Sequence, residues 1–143
     1  MAPDPKIETK LVKTWETGQI IALYRAGGWW KEEYDPAGVP ALITGSFLFS
    51  VAVDTATNTA IGMGRVISDG VSDAYIQDLI VLPECRKGGV GRSIVSLLVT
   101  SCWEQGIRWI GLVSQPGCDA FYRNLGFVEM KGYIPLLYER GNE

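Results

Sequence analysis

The sequence predicts a single mixed α/β domain over residues 1–143, with helices packed on one mostly antiparallel sheet. The hydrophobic period changes from helical to alternating at Ser46, and short polar turns separate the alternating segments that follow. One apolar strand then leads into a long amphipathic helix and a further apolar strand, which is the pattern of a right-handed crossover between parallel strands. No repeat or linker divides the 143 residues, and a chain of this length suits one core.

The first part of the chain is predicted to hold an edge strand, a helix and an aromatic loop. Residues 7–13 are short and polar, which suits a strand at the edge of a sheet. Thr14 is expected to cap the following helix, which the Gly27–Gly28 pair ends. The apolar face of that helix is formed by Ile20, Leu23 and Tyr24. Asp35 and Pro36 are typical of a cap and first-turn pair, so a short helix is expected after the loop.

The remaining elements are predicted to form a meander, a crossover and a C-terminal pair of strands. Strands are predicted at residues 46–54, 60–67, 74–82 and 109–113, with two more within residues 127–139. Helices are predicted at residues 90–105 and 119–125. With the edge strand, this gives a central mixed sheet of six to seven strands with one parallel pair, flanked by about four helices.

The composition excludes several classes of site. The sequence contains no histidine, so a metal site built from imidazole, a Ser-His-Asp triad and a Cys-His dyad are excluded. Proton transfer must therefore use Tyr, Asp, Glu, Cys, Lys or water. The 13 basic and 16 acidic side chains give a net charge of −3, so we expect no nucleic-acid partner.

The cysteines and the distribution of apolar residues indicate where in the cell the protein is expected. Cys85, Cys102 and Cys118 have no short paired spacing, which argues against a disulfide framework and against a Cys-x-x-Cys metal site. No uncharged apolar stretch approaches the roughly 20 residues that span a bilayer. We therefore expect a cytoplasmic protein with no metal and no membrane partner.

A glycine-rich turn, Arg86–Arg92, lies between a predicted buried strand and the long helix. Its three glycines allow positive φ angles and let a ligand approach the backbone closely. The start of the helix adds free N–H groups and the positive end of the helix dipole, and three basic side chains add charge. The turn therefore favours a di-anion such as pyrophosphate, although neither a P-loop nor a dinucleotide fingerprint is present.

Two motifs occur in order around the long helix and the strand after it. The first places Arg86, Gly89 and Gly91 in an [Gln/Arg]-x-x-Gly-x-[Gly/Ala] pattern, and the second, Phe121–Phe127, reads Phe-Tyr-x-x-x-Gly-Phe. In both motifs, and in the order of elements over nearly the whole chain, the sequence resembles the GNAT N-acetyltransferase superfamily.

The resemblance implies a site for acetyl-CoA along strand 74–82 and the turn after it. In the family this strand splays from its parallel neighbour, and the pantetheine arm of the cosubstrate lies in the gap. Backbone groups of Leu79, Ile80 and Val81 are expected to hold the arm and polarise the thioester carbonyl. The pyrophosphate is expected to bind the turn at Arg86, Lys87, Gly88, Gly89, Val90, Gly91 and Arg92.

Tyr122 and Asp78 are the expected catalytic residues. The resemblance implies that Tyr122 lies near the sulfur, and a reference pKa near 10 lets it protonate the departing thiolate. An acceptor amine with a pKa near 10.4 must first lose a proton, which a carboxylate would accept directly or through water. Asp78 is the first choice because it precedes the thioester-binding residues. The alternative is that Asp78 is an ordinary polar residue on the strand's wet face.

Trp29, Trp30 and Tyr34 are the candidate acceptor-binding residues. They lie in one segment with the acidic residues Glu32, Glu33 and Asp35, and aromatic faces beside carboxylates favour a cationic amine. In the family the loop between the first two helices commonly lines the acceptor site, which suggests a small-molecule acceptor. The alternative is that one or both tryptophans only cover the core.

The predicted activity is acetyl-CoA-dependent N-acetylation of a primary amine by direct attack in a ternary complex. Two alternatives stay open, namely acetylation of protein N-termini or lysine side chains, and a non-catalytic acyl-CoA-binding module. A homodimer is a further expectation, because the C-terminal strands would offer an edge and dimers are common in the family.

Overall fold

A five-stranded sheet lies at the centre of the first part of the chain in a computed structural model that describes residues 6–141. The chain divides into two units, Met1–Leu112 and Val113–Glu143, and the sheet belongs to the first. The strands are β1 (Ile7–Leu11), β2 (Leu48–Asp54), β3 (Thr59–Ser68), β4 (Asp73–Val81) and β5 (Trp109–Gly111). Their spatial order follows the chain; β4 and β5 pair in parallel, and the other neighbours pair antiparallel.

Four α-helices lie within the described residues. They are α1 (Thr17–Ala26), α2 (Val39–Gly45), α3 (Val90–Glu104) and, in the second unit, α4 (Asp119–Arg123). The prediction that Thr14 caps the first helix was wrong. The Glu16 carboxylate is the cap, because its longer side chain folds back to accept the backbone N–H groups of Gly18 and Gln19, each at 2.9 Å. Asp35 does cap a 3₁₀ turn, accepting from Ala37 N–H at 2.9 Å.

The sheet of the first unit is covered on both faces. Met63 of β3 packs in one cluster with residues of α1 and α2, including Ile20, Leu23 and Ile43. Because successive positions of a strand face opposite sides of the sheet, positions 62 and 64 face the other side, which α3 covers. This arrangement explains why β2 is buried along six of its seven residues.

Two glycines let α3 lie close against β3. A Cβ atom on Gly64 would stand 2.9 Å from Cγ2 of Ile94, and one on Gly62 would stand 3.1 Å from its Cδ1. Any larger residue at these positions would push the helix outward. Ile94 itself is fully buried, so it fills the space that the two glycines leave.

Ile94→Ala is expected to lower the free energy of unfolding by about 3 kcal/mol, since it removes buried methyl groups and leaves a cavity against the glycines. Urea denaturation measures the change. Ser96→Ala on the exposed side of α3 is the control, with an expected change below about 0.5 kcal/mol. Equal midpoints for the two variants would contradict the packing described for Ile94.

The predicted class of a mixed sheet with flanking helices is confirmed, but six to seven strands was wrong. The described residues hold five strands, and residues 127–139 contain none. Backbone hydrogen bonds there are local, for example from Tyr133 N–H to Met130 C=O. Gly132 has a φ of 80°, and Pro135 has no N–H to donate, so alternation of apolar residues is not enough to make a ladder.

Candidate active site

One edge of β4 is open along most of its length. β5 pairs with β4 only from Asp73 to Tyr75 and ends at Gly111. From Ile76 to Val81 no strand of the described residues pairs with this edge, whereas β3 pairs with the other edge. Backbone groups on the open edge are therefore available to amide groups of an extended ligand. This separation agrees with the splayed parallel pair that the resemblance implies.

The glycine-rich turn continues directly from this open edge. A 3₁₀ helix, Pro83–Gly88, is followed by Gly89, whose φ of 77° lies in the left-handed region, and α3 begins at the next residue. No side chain caps α3, so its first N–H groups are left for a ligand. Arg86, Lys87 and Arg92 are exposed around the turn. Of the three glycines in the turn only Gly89 has a positive φ, and anion binding at this turn stays a prediction.

Arg86 joins the turn to the strand. Its Nε–H donates to the carbonyl oxygen of Val81 at 2.9 Å. The carbonyl group of Val81, one of the three residues predicted to hold the pantetheine arm, is thus already hydrogen-bonded within the chain, whereas this bond leaves its N–H unaffected. The other guanidinium nitrogens of Arg86 make no hydrogen bond with the described residues and can still contact a phosphate.

Asp78 lies at an irregularity in β4. Its φ is 58°, a left-handed conformation that few residues other than glycine adopt and that aspartate tolerates better than most. The β3–β4 register shifts between Met63 and Arg65 at the same place. Such a bulge bends the strand and changes where the following groups point.

The Asp78 carboxylate is held by two donors from different elements. Tyr24 O–H of α1 donates to Oδ2 at 2.8 Å, and Arg65 Nε–H of β3 donates to the same oxygen at 2.7 Å. The Arg65 and Asp78 side chains are 17% and 23% exposed, so this pair is partly shielded from water. Burial, and then the Asp78 charge, raise the pKa of Tyr24 far above its usual value of 10.0. Tyr24 therefore stays a donor throughout the physiological range.

Sequence reasoning did not identify Arg65 or Tyr24 as site residues. The available signal was that Arg65 is the only charged residue in β3, inside an otherwise apolar run. A charge within a buried strand needs a partner. Tyr24 was predicted only as part of the apolar stripe of α1, and it is indeed buried there.

Tyr122 belongs to the second unit, on α4. Its ring packs between Phe121 and Phe127, with centroid distances of 5.1 and 5.9 Å. Burial, and secondarily the nearby Cys118 charge, raise the pKa of Tyr122 above 10.0. The hydroxyl is thus protonated at neutral pH, as a general acid requires.

The aromatic loop divides into core and surface parts. Trp29 packs edge-on against Tyr24 at 6.2 Å, and a Cβ atom on Gly27 would stand only 2.7 Å from the Trp29 ring. Trp29 and Trp30 both pack against the core cluster. Tyr34 contacts the Trp30 ring edge-on at 5.5 Å and is 44% exposed.

Two of the three acidic residues in the loop have partners within the chain. Glu32 lies 3.3 Å from Arg25 in an exposed ion pair, and Asp35 caps the 3₁₀ turn. Glu33 is exposed and has no ion pair within residues 6–141. Tyr34 is therefore the exposed aromatic candidate of this loop, and Glu33 is the exposed carboxylate next to it in the chain.

The family model described as "Acetyltransferase (GNAT) domain" matches residues 45–129. The chain belongs to the GNAT acetyltransferase family. This match contains both motifs on which the resemblance rests, and it includes β2 to β5, α3 and α4 of the GNAT fold.

Two relatives that the chain resembles in sequence are also named as N-acetyltransferases. Serotonin N-acetyltransferase 2, chloroplastic, from Oryza sativa subsp. japonica is 35% identical over 77 residues, which are 52% of this chain and 38% of that protein. An uncharacterized N-acetyltransferase, ycf52, from Porphyra purpurea is 28% identical over 122 residues, 85% of this chain and 68% of that protein. The chain spans less than half the length of the rice relative.

A solved GNAT-family acetyltransferase from Streptococcus pneumoniae TIGR4 matches with a TM-score of 0.78 and 23% identity, over 95% of this chain and 99% of that one. At this identity the likeness shows the fold alone. The GNAT fold accounts for the open β4 edge and the turn at the start of α3, which together form the candidate acetyl-CoA site.

No group of three or more Cys, Asp or Glu side chains in residues 6–141 is arranged to hold a metal ion. No helix there has the length and apolar character needed to cross a membrane. The rice relative is named as chloroplastic, and the cytoplasmic location expected for this chain stays a prediction.

Proposed function

We propose that this GNAT chain transfers the acetyl group of acetyl-CoA to a primary amine on a small molecule. The main observation that supports the proposal is that the chain passes from the open edge of β4 into the glycine-rich turn. The helix that follows this turn, α3, begins without a side-chain cap. An extended amide-containing arm fits the first, and a pyrophosphate fits the second. Acetyl-CoA has both parts in that order.

The proposed reaction is direct attack in a ternary complex. The amine nitrogen adds to the thioester carbonyl carbon, whose oxygen is polarised by backbone N–H of Leu79 or Ile80. The C–S bond then breaks, and Tyr122 O–H gives its proton to the thiolate. The proton lost by nitrogen goes to Asp78 or, through water, to solvent. No acyl-enzyme forms in this scheme.

A cationic small amine is the proposed acceptor class. Tyr34 and Trp30 offer aromatic faces, and Glu33 offers an unpaired carboxylate within the described chain. Such surroundings favour an ammonium or an aromatic amine. A relative named for serotonin acetylation supports the same class.

A panel of amines with acetyl-CoA, followed by release of free thiol, tests the function. The panel contains small aromatic amines, polyamines, aminoglycosides, and peptides with a free N-terminus or a lysine. Turnover with a small amine supports the proposal, and turnover with peptides alone would instead favour a protein acetyltransferase. Calorimetry that shows CoA binding, with no thiol release across the panel, would favour the non-catalytic module.

Tyr34→Ala is expected to raise the KM for the preferred amine about fivefold to tenfold, because it removes a cation–π contact of about 1 kcal/mol. The Kd of acetyl-CoA should stay the same. Steady-state kinetics with varied amine measures the change. Tyr75→Ala removes a comparably exposed tyrosine, 45% against 44%, and should leave the amine KM unchanged. A similar KM for wild type and Tyr34→Ala would remove Tyr34 from the acceptor site.

A further inference from the structure

Three side chains from three elements meet at the bulge in β4. We propose that Tyr24 and Arg65 are positioning residues that hold the Asp78 carboxylate so that Oδ1 faces the attacking amine. The proposal rests on the proposed acetyl transfer and adds two residues that neither sequence motif contains. Both donors act through Asp78, and neither is proposed to touch the substrates.

The hydrogen bonds leave one oxygen of Asp78 for substrate. Tyr24 and Arg65 both donate to Oδ2, at 2.8 and 2.7 Å. Oδ1 receives no hydrogen bond from any residue in the described range 6–141. Two donors on one oxygen, one of them charged, restrict rotation of the carboxylate and define where Oδ1 lies.

Tyr24 and Arg65 also lower the cost of placing the Asp78 carboxylate where it is partly buried. An isolated carboxylate with 23% exposure would be poorly solvated, and the Arg65 guanidinium offsets that cost. Tyr24 adds a neutral donor that does not ionise in the working range, because its pKa is raised. With both donors on Oδ2, the Oδ1 atom of Asp78 can accept a proton from the attacking nitrogen.

The same contacts anchor the backbone that presents the acetyl group. Asp78 is in a left-handed conformation immediately before Leu79 and Ile80. Tyr24 ties this residue to α1, and Arg65 ties it to β3 across the register shift. Base and carbonyl-binding groups are therefore positioned by one network.

A double-mutant cycle tests the inference. Tyr24→Phe and Arg65→Lys should each lower kcat about tenfold or more, with the KM for acetyl-CoA within twofold of wild type. In an Asp78→Asn background, which retains an oxygen acceptor, each change should alter kcat less than twofold. Tyr75→Phe, an exposed hydroxyl on the same strand, is the control for loss of a tyrosine O–H.

Two results would overturn the inference while wild type turns over. One is that both single variants keep the kcat of wild type. The other is that each substitution lowers kcat by the same factor in the Asp78→Asn background as in wild type, because such a loss would not act through the carboxylate and would mark a structural role. Thermal midpoints are recorded alongside, and Tyr24→Phe preserves the packed ring if Arg65→Lys does not fold. Absence of turnover by wild type with every amine would instead overturn the proposed function, and this inference with it.

Discussion

Tyr122→Phe is expected to lower kcat at least 100-fold and to leave the Kd of acetyl-CoA within twofold of wild type. General acid catalysis contributes about 10² to 10⁴ in rate, and the phenylalanine variant cannot protonate the departing thiolate. The ring stays between Phe121 and Phe127, so the fold should be unaffected. Stopped-flow thiol release and calorimetry measure the two quantities separately.

The pH dependence provides a second readout for the same residue. Because burial raises the pKa of Tyr122 above 10.0, its acid form persists as pH rises and is lost only above that value. Wild type should therefore keep kcat further into the alkaline range than a tyrosine of ordinary pKa would allow, and the alkaline loss of kcat should disappear in Tyr122→Phe. Tyr133→Phe, 78% exposed in the same unit, is the control. A Tyr122→Phe variant with the kcat of wild type would show that Tyr122 is not the general acid.

Gly89→Ala is expected to weaken acetyl-CoA binding at least 30-fold. The φ of 77° at Gly89 costs an L-residue about 1 to 2 kcal/mol, and relief of that strain would turn the first N–H groups of α3 away from the pyrophosphate. Calorimetry with acetyl-CoA and with CoA measures the loss. Both ligands should weaken equally, because both carry the pyrophosphate.

Gly106→Ala is the matched control for the turn. Gly106 lies just after the other end of α3 and has a φ of 87°, and a Cβ atom added there would meet no atom within 4 Å. The substitution therefore imposes a similar backbone strain away from the anion site. Urea denaturation should show comparable losses in stability for the two variants, and only Gly89→Ala should lose affinity. Equal affinities for both variants would show that the turn does not bind the pyrophosphate.

Much of the fold could be predicted from the sequence because local chemistry determines it. The helical stripe at Ile20, Leu23 and Tyr24 is buried as expected, and α3 begins and ends within one residue of the predicted range. The parallel β4–β5 pair follows from the strand–helix–strand order, because a helical crossover joins parallel strands. By contrast, the C-terminal strands were wrong, because alternation of apolar residues cannot specify a partner edge.

The candidate site shows the same division. The turn was predictable since its glycines and basic residues are consecutive in the chain, and Gly89 adopts the positive φ that such a motif allows. Trp29 and Trp30 were ambiguous in sequence, and their packing against the core cluster leaves Tyr34 as the most exposed of the three aromatic candidates. Exposure depends on neighbours from other elements, which a local pattern does not contain.

The sequence by itself determined the GNAT family, the position of the glycine-rich turn that we propose binds an anion, and the need for proton transfer without histidine, since each follows from residue types or short spacings. Only the tertiary structure decided what surrounds Asp78. Tyr24 lies 54 residues away and Arg65 lies 13 residues away along the chain; the packing of α1 on the sheet brings the first to Oδ2 of Asp78, and strand pairing brings the second. Side-chain direction at a bulge depends on strand pairing, so this network could not be predicted from the order of the residues.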